Sequence, residues 1–151
     1  GVNANFNHVD FRKFDFSRCG KVELNYCGFG DTRLNMYNDW GEEKELKFCK
    51  NSEVTMRNCI ILEDIKKITF GKDSKVRLYN MDFSTNDEID FSQCAEVLAV
   101  NCNFNYVERI KFRNKEQERK IMEGVQWQGK SCYSKTSIHP VINNRRNNEI
   151  E

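Results

Sequence analysis

Proline is nearly missing from this chain: Pro140 stands alone. With only eight glycines beside it, tight bends cannot rest on Pro-Gly chemistry and fall to Asn, Asp, Ser and Lys. Histidine is almost as scarce. His8 and His139 lie far apart, so a metal site built on imidazoles or a His-dependent nucleophile is poorly supplied. No run of roughly 18 apolar residues occurs, which excludes a membrane-spanning helix. An excess of one charge is missing too. The formal net charge is +1 although 31% of residues are charged. That opposes the strong field of a non-specific nucleic-acid binder, and equally the acidic surface of a nucleic-acid mimic. G-x-S-x-G, a Walker-type loop and H-E-x-x-H are absent. The resulting expectations are no catalytic residues, no metal, no cofactor, and neither nucleic acid nor membrane as partner.

The 151 residues fit one domain, and 38% are hydrophobic. The start, GVNANFNHVDF, lacks the basic-then-apolar pattern of a secretory leader. Because it opens on Gly rather than Met, a processed chain is expected, and a lost leader stays open.

What the chain has in abundance is itself. VTMRNC at Val54–Cys59 returns as VRLYNM at Val76–Met81 and as VLAVNC at Val97–Cys102. Four units follow one plan: FDFSRCGKVELNYCGF from Phe14, LKFCKNSEVTMRNCII from Leu46, ITFGKDSKVRLYNMDF from Ile68 and IDFSQCAEVLAVNCNF from Ile89. A fifth starts at Ile110-Lys111-Phe112 and stops. Phe48, Phe70, Phe91 and Phe112 are separated by 22, 21 and 21 residues. From Phe16 to Phe48 the gap is 32, so an extra piece holding Leu34, Met36 and Trp40 lies between them. A partial turn, Val9–Phe11, comes first.

Inside each unit apolar and polar residues alternate, as in Ile68/Phe70 and Val76/Leu78, which is the period of a strand. Two or three such residues cannot hold a strand alone. Stacked on the same segment of the next unit, about 4.8 Å away, they gain a hydrogen-bond ladder and a shared core. The fold expected is therefore all-β: a parallel β-solenoid of about five coils of 21–22 residues over residues 1–112, with a short C-terminal capping helix at 113–124 and an extension or tail at 125–151. The inward columns are Phe16/Phe48/Phe70/Phe91/Phe112, Val22/Val54/Val76/Val97, Leu24/Met56/Leu78/Ala99, Cys27/Cys59/Met81/Cys102 and Phe29/Ile61/Phe83/Phe104. Ala99 is undersized, so a larger neighbour is expected to fill the fourth coil. Turn positions are small: Ser17, Cys49, Gly71, Ser92, and again Gly20, Ser52, Ser74, Ala95. Lys21, Glu53, Lys75 and Glu96 alternate in sign, as stacked strands prefer. Asn58, Asn80 and Asn101 form a column at a bend, where Asn tolerates left-handed backbone and can bond its stacked neighbours.

Cys19–Phe29, C-x-x-V-x-L-x-x-C-x-F, resembles the leucine-rich repeat signature, and Cys94–Phe104 follows it with Ala99 in a leucine slot. Asn51 and Asp73 stand where that family has an apolar residue. Coil length and the Asn column also resemble right-handed parallel β-helices, and the second apolar pair, I-x-F, fits strands on more than one side. Resemblance to leucine-rich repeats implies protein binding. Resemblance to β-helices implies a carbohydrate-binding or carbohydrate-active alternative, with Tyr26, Tyr79, Trp40 and Trp127 as candidate sugar platforms.

An open solenoid end invites edge-to-edge association and needs a cover. RNKEQERKIMEG, Arg113–Gly124, is rich in helix formers, and Ile121 and Met122 can lie over the last coil. The segment beyond, with Trp127, Tyr133, Ile138 and Val141, is expected to fold back along the solenoid, and NNRRNNEIE to be a solvated tail. No cover is legible at the other end, as in an array excised from a longer repeat protein. Seven cysteines without C-x-x-C, in repeat columns, read as buried free thiols of a reducing compartment, which favours the cytoplasm.

The functional expectation is a non-enzymatic repeat module for protein–protein interaction. Arg18, Lys50 and Lys72 share one turn position with Gln93, so three positive charges stack along one edge as a candidate binding stripe for an acidic partner. Asp90 beside Thr69 and Lys111, and Arg77 beside Thr55, read as ordinary surface ladders. The oligomeric state stays open.

Overall fold

The structure is a computed structural model, and it describes residues 2–11, 15–30, 44–62, 65–83, 88–104, 107–123, 126–127, 130–131 and 139–142. Leu34, Met36 and Trp40 of the inserted piece, Cys132, Tyr133, Ile138 and the last nine-residue stretch lie outside the described residues.

Three parallel sheets wrap one core. The front sheet stacks β1 (Val2–Asn7), β3 (Cys19–Asn25), β6 (Glu53–Arg57), β9 (Lys75–Tyr79) and β12 (Glu96–Val100). The side sheet stacks the two-residue strands β2 (Asp10–Phe11), β4 (Gly28–Phe29), β7 (Ile60–Ile61) and β10 (Asp82–Phe83), and an Asp82–Asn103 bridge carries it one level further. The rear sheet stacks β5 (Lys44–Lys47), β8 (Ile65–Thr69), β11 (Glu88–Asp90), β13 (Arg109–Phe112) and β16 (His139–Ile142). The chain visits front, side and rear in turn and then climbs one level, so the molecule is a parallel β-solenoid. The strands β14 (Gln126–Trp127) and β15 (Lys130–Ser131) form a separate antiparallel pair.

The register follows the repeat. Val22, Val54, Val76 and Val97 are direct partners, and so are Leu24, Met56, Leu78 and Ala99. One phenylalanine column is a continuous stack. Phe16, Phe48, Phe70 and Phe91 lie 5.6, 5.3 and 5.6 Å apart with rings within 14° of parallel. Phe11 stacks on Phe29, and Phe83 on Phe104, each at 4.9 Å. Each buried ring contributes about 1.5–3 kcal/mol, with about 0.5–1.5 kcal/mol more per aromatic pair.

The corner from front to side sheet is set by left-handed backbone at His8, Tyr26, Asn58, Asn80 and Asn101. At each level but the last the N–H of this residue donates to a carbonyl of the next coil, as in Asn58 to Tyr79 O (2.9 Å) and Asn80 to Val100 O (3.0 Å). The Asn101 side-chain amide donates to Asn80 Oδ1, the rung that an Asn ladder requires. Next to it, Cys27, Cys59 and Cys102 point inward, and each thiol donates at 3.4 Å to the carbonyl two residues before it. Cys recurs there because it is small and apolar and still serves a corner carbonyl. The six described cysteines are free thiols.

The corner from rear to front sheet takes two forms. In the second and third coils Asn51 and Asp73 adopt positive φ, and Ser52 and Ser74 turn inward. In the first and fourth coils the sequence is D-F-S-x-C. There the N–H and hydroxyl of Ser17 donate to Asp15, those of Ser92 donate to Asp90, and Cys19 and Cys94 close on Phe16 O and Phe91 O at 3.0 and 3.1 Å. In the fourth coil Cys94 is buried along with Ser92, and Ala95 is exposed. The inward position therefore slips by one residue in the fourth coil, because a thiol can be buried where Asn or Asp cannot.

The helix α1 (Lys115–Glu123) packs on β12, β13 and β16. Asn114 Oδ1 accepts from Gln117 N–H (2.9 Å), and Gln117 Oε1 accepts from Arg113 N–H (2.8 Å), a reciprocal N-terminal cap. Ile121 is buried in the same core cluster as Ala99, with Met122 packed against it.

Candidate functional site

A solenoid offers function only its outward side chains, and three regions gather them here.

The first is the rear-to-front corner. Arg18, Lys50 and Lys72 sit on successive exposed turns with Gln93 above them. The turns are tied by Asn51 N–H to Lys72 O and Asp73 N–H to Gln93 O, both 2.8 Å. Gly71 lets two of these turns touch. A Cβ there would lie 2.3–2.4 Å from the backbone of Cys49 and Lys50.

The second region is the outer face of the front sheet. Its outward positions form three ladders. Asn3, Lys21, Glu53, Lys75 and Glu96 form the alternating-charge ladder. Asn5, Glu23, Thr55, Arg77 and Leu98 form the second, and Asn7, Asn25, Arg57, Tyr79 and Val100 the third. Both of the latter pass from amides at β1 to apolar groups at β12. Leu98 and Val100 are 47% and 44% exposed. Tyr79 lies in register beside Val100, and the Arg57 guanidinium sits 5.5 Å from the centre of the Tyr79 ring. Where this face meets α1, a cleft of about 520 Å³ opens, lined by Lys75, Arg77, Glu96, Leu98, Arg113 and Lys120 among others. Spacing had not singled out Leu98 or Val100. The available signal was the run VLAV at Val97–Val100, apolar at every position where the other coils alternate.

The third region is the front-to-side corner. Tyr26, Asn58, Ile60, Asn80, Asp82 and Asn101 line a cleft of about 540 Å³. Tyr26 is 58% exposed, and its ring stacks on His8 at 5.0 Å, within 9° of parallel. Burial raises the Asp82 carboxyl above its usual range, and the amide of Asn103, donating at 3.2 Å, opposes that shift.

The remaining outward charges are ladders. On the rear sheet Glu45, Lys67, Glu88 and Arg109 are in register and alternate in sign. Glu88 meets Lys67, Arg109 and Lys111 at 3.3, 3.6 and 3.7 Å. The 22- and 21-residue intervals that expose the front charge ladder expose this one as well. Asp90 pairs in register with Thr69 and Lys111, and Arg77 with Thr55.

Tyr79 and Tyr26 lie on different ladders, so the proposed sugar platforms do not converge. The side chains of Trp40 and Trp127 lie outside the described residues. Among the described residues no group of three or more His, Cys, Asp and Glu could hold a metal ion. No helix there is long and apolar enough to cross a membrane. Comparison of the chain with protein-family models, with curated proteins and with solved structures finds no match.

Proposed function

We propose that this chain is a non-enzymatic interaction module whose solenoid presents the outer face of the front sheet to a protein partner. The observation that carries the reading is the composition of one continuous patch: Tyr79, Leu98 and Val100 with Arg57 and Arg77. Tyr and Arg set among exposed aliphatic groups are the residues that dominate binding energy at protein interfaces. A sheet whose strands are tied on both sides also loses little conformational freedom on docking. Of the two family resemblances, strands on all three faces favour the parallel β-helix over the leucine-rich repeat.

The test is selection from a random peptide-display library on the wild-type protein. Selected ligands are then titrated on a Tyr79→Ala/Val100→Asp variant, whose changes lie on the outward side of the sheet. Binding weaker by about tenfold or more, equivalent to about 1.4 kcal/mol, supports the patch. Ligands that bind both proteins equally overturn it.

A second reading has its own observation. The exposed Tyr26 ring, braced on His8 beside the Asn column and Asp82, has the makings of a sugar-stacking platform. Oligosaccharide binding that disappears on Tyr26→Ala favours this reading. A panel of glycans without a binder removes it.

A further inference from the structure

The cleft between α1 and the front sheet carries a more specific assignment, which rests on the interaction-module reading. We infer that it takes an extended acidic peptide segment of the partner, with an aliphatic side chain set against Leu98. Its lining includes four cations, Lys75, Arg77, Arg113 and Lys120, against two carboxylates, Glu96 and Glu116. Both carboxylates have a cationic neighbour inside the cleft. Glu96 lies in register beside Lys75, and Glu116 pairs with Lys120 at 3.5 Å. Arg77 and Arg113 are the cations of the lining with no carboxylate of the cleft so matched. The Arg113 guanidinium also donates to the Cys94 carbonyl, another residue of the lining, at 3.5 Å. Arg77 is the direct register partner of Leu98, so a guanidinium and a half-exposed aliphatic group stand side by side. Guanidinium forks recognise carboxylates through paired hydrogen bonds, and an aliphatic group nearby selects for an apolar residue next to the acidic ones. A volume of about 520 Å³ lies in the range of ligand-sized clefts.

The experiment is fluorescence anisotropy of a short labelled peptide of repeating Glu-Glu-Leu, titrated with the full chain at low and at moderate salt. A Lys-Lys-Leu peptide serves as the charge-reversed control. The expected result is saturable binding of the acidic peptide alone. It weakens with salt, falls about tenfold or more in Arg77→Glu and in Leu98→Ser, and is unchanged in Lys50→Glu/Lys72→Glu. Arg77 and Leu98 both point outward, and urea denaturation of each variant confirms that folding is retained. Binding that is lost in Lys50→Glu/Lys72→Glu and kept in Arg77→Glu overturns the cleft and moves the acidic ligand to the corner stripe. Equal binding of the two peptides overturns the charge argument. Failure of the acidic peptide, while library-selected ligands still depend on Tyr79 and Val100, overturns the cleft assignment and leaves the interaction reading standing. If neither kind of ligand depends on this face, both fall.

Discussion

Backbone conformation at the corners decides which residues can stand there. A non-glycine residue in the left-handed region is disfavoured, and Asn and Asp suffer least because the short side chain bonds locally. That physics made the Asn58/Asn80/Asn101 column legible. It did not reveal that Tyr26 and His8 adopt the same backbone, since neither residue type advertises it. Asn51 tests the principle apart from the ladder, because it is exposed and has φ of 56°. Asn51→Ala is expected to lower stability by about 1 kcal/mol in urea denaturation, while Asn51→Gly leaves the midpoint equal or higher. Gly71 is limited by space instead. Its missing Cβ is the gap that seats the Cys49–Lys50 turn, and backbone cannot swing aside as a side chain can. Gly71→Ala is therefore expected to cost about 1–3 kcal/mol, as overpacking does, and to lower the urea midpoint accordingly. The buried thiols impose a pH limit. Burial pushes Cys59 up to about 11 and Cys94 up to about 12, from an ordinary value of 9.0. Folding thus favours the protonated thiol. This contribution is fully present below about pH 9 and is lost as pH rises through the folded values. A series of urea midpoints should fall between about pH 9 and 12, and fall less steeply in a Cys59→Ala/Cys94→Ala variant. Equal slopes in the two proteins would show that the thiols are not the cause.

At the scale of strands and turns, what was legible is what repeats at one level. The inward phenylalanines could be aligned because each coil needs the same ring at the same height, and they stack at 5.3–5.6 Å. The side sheet was harder to see. Its strands are two residues long, too short to show a period, so Phe29, Ile61, Phe83 and Phe104 are legible as an inward column but not as strands. The two kinds of rear-to-front turn were on the page as D-F-S-x-C against F-x-K-N/D-S. They went unread because a small-residue column describes both. In the fourth coil Cys94 is buried where Ser52 and Ser74 are in the second and third, and Ala95 is exposed. The acidic-peptide cleft was hidden for a different reason. It needs α1 to sit beside β12, and no spacing within the repeats encodes where the helix lands. The phenylalanine stack gives the strongest test at this scale. Phe70 is fully buried, with a ring above and a ring below it. Phe70→Ala should cost about 3–5 kcal/mol, and Phe70→Leu distinctly less because most of the volume is kept. Equal losses for the two would mean that volume is not what the column supplies.

Among the described residues the stack is close to one-dimensional, since each strand of a sheet pairs with the strands of the neighbouring coils. Its stability is then a sum of coil terms and neighbour terms, and a disturbance at one level reaches distant levels weakly. β6 and β9 have a strand on both sides, β1 has a strand on one side, and β12 has one strand and the helix. Native-state hydrogen exchange should therefore be slowest in Glu53–Arg57 and Lys75–Tyr79 and at least about tenfold faster in Val2–Asn7, which pairs on one edge only among the described residues. The capping helix sharpens the test. Ile121 is buried over the last coil, so Ile121→Asp should release α1 and speed exchange in β12 while leaving β3 almost unchanged. Were every strand to accelerate together, the coils would be folding as one cooperative block, and the additive picture of the stack would have to be given up.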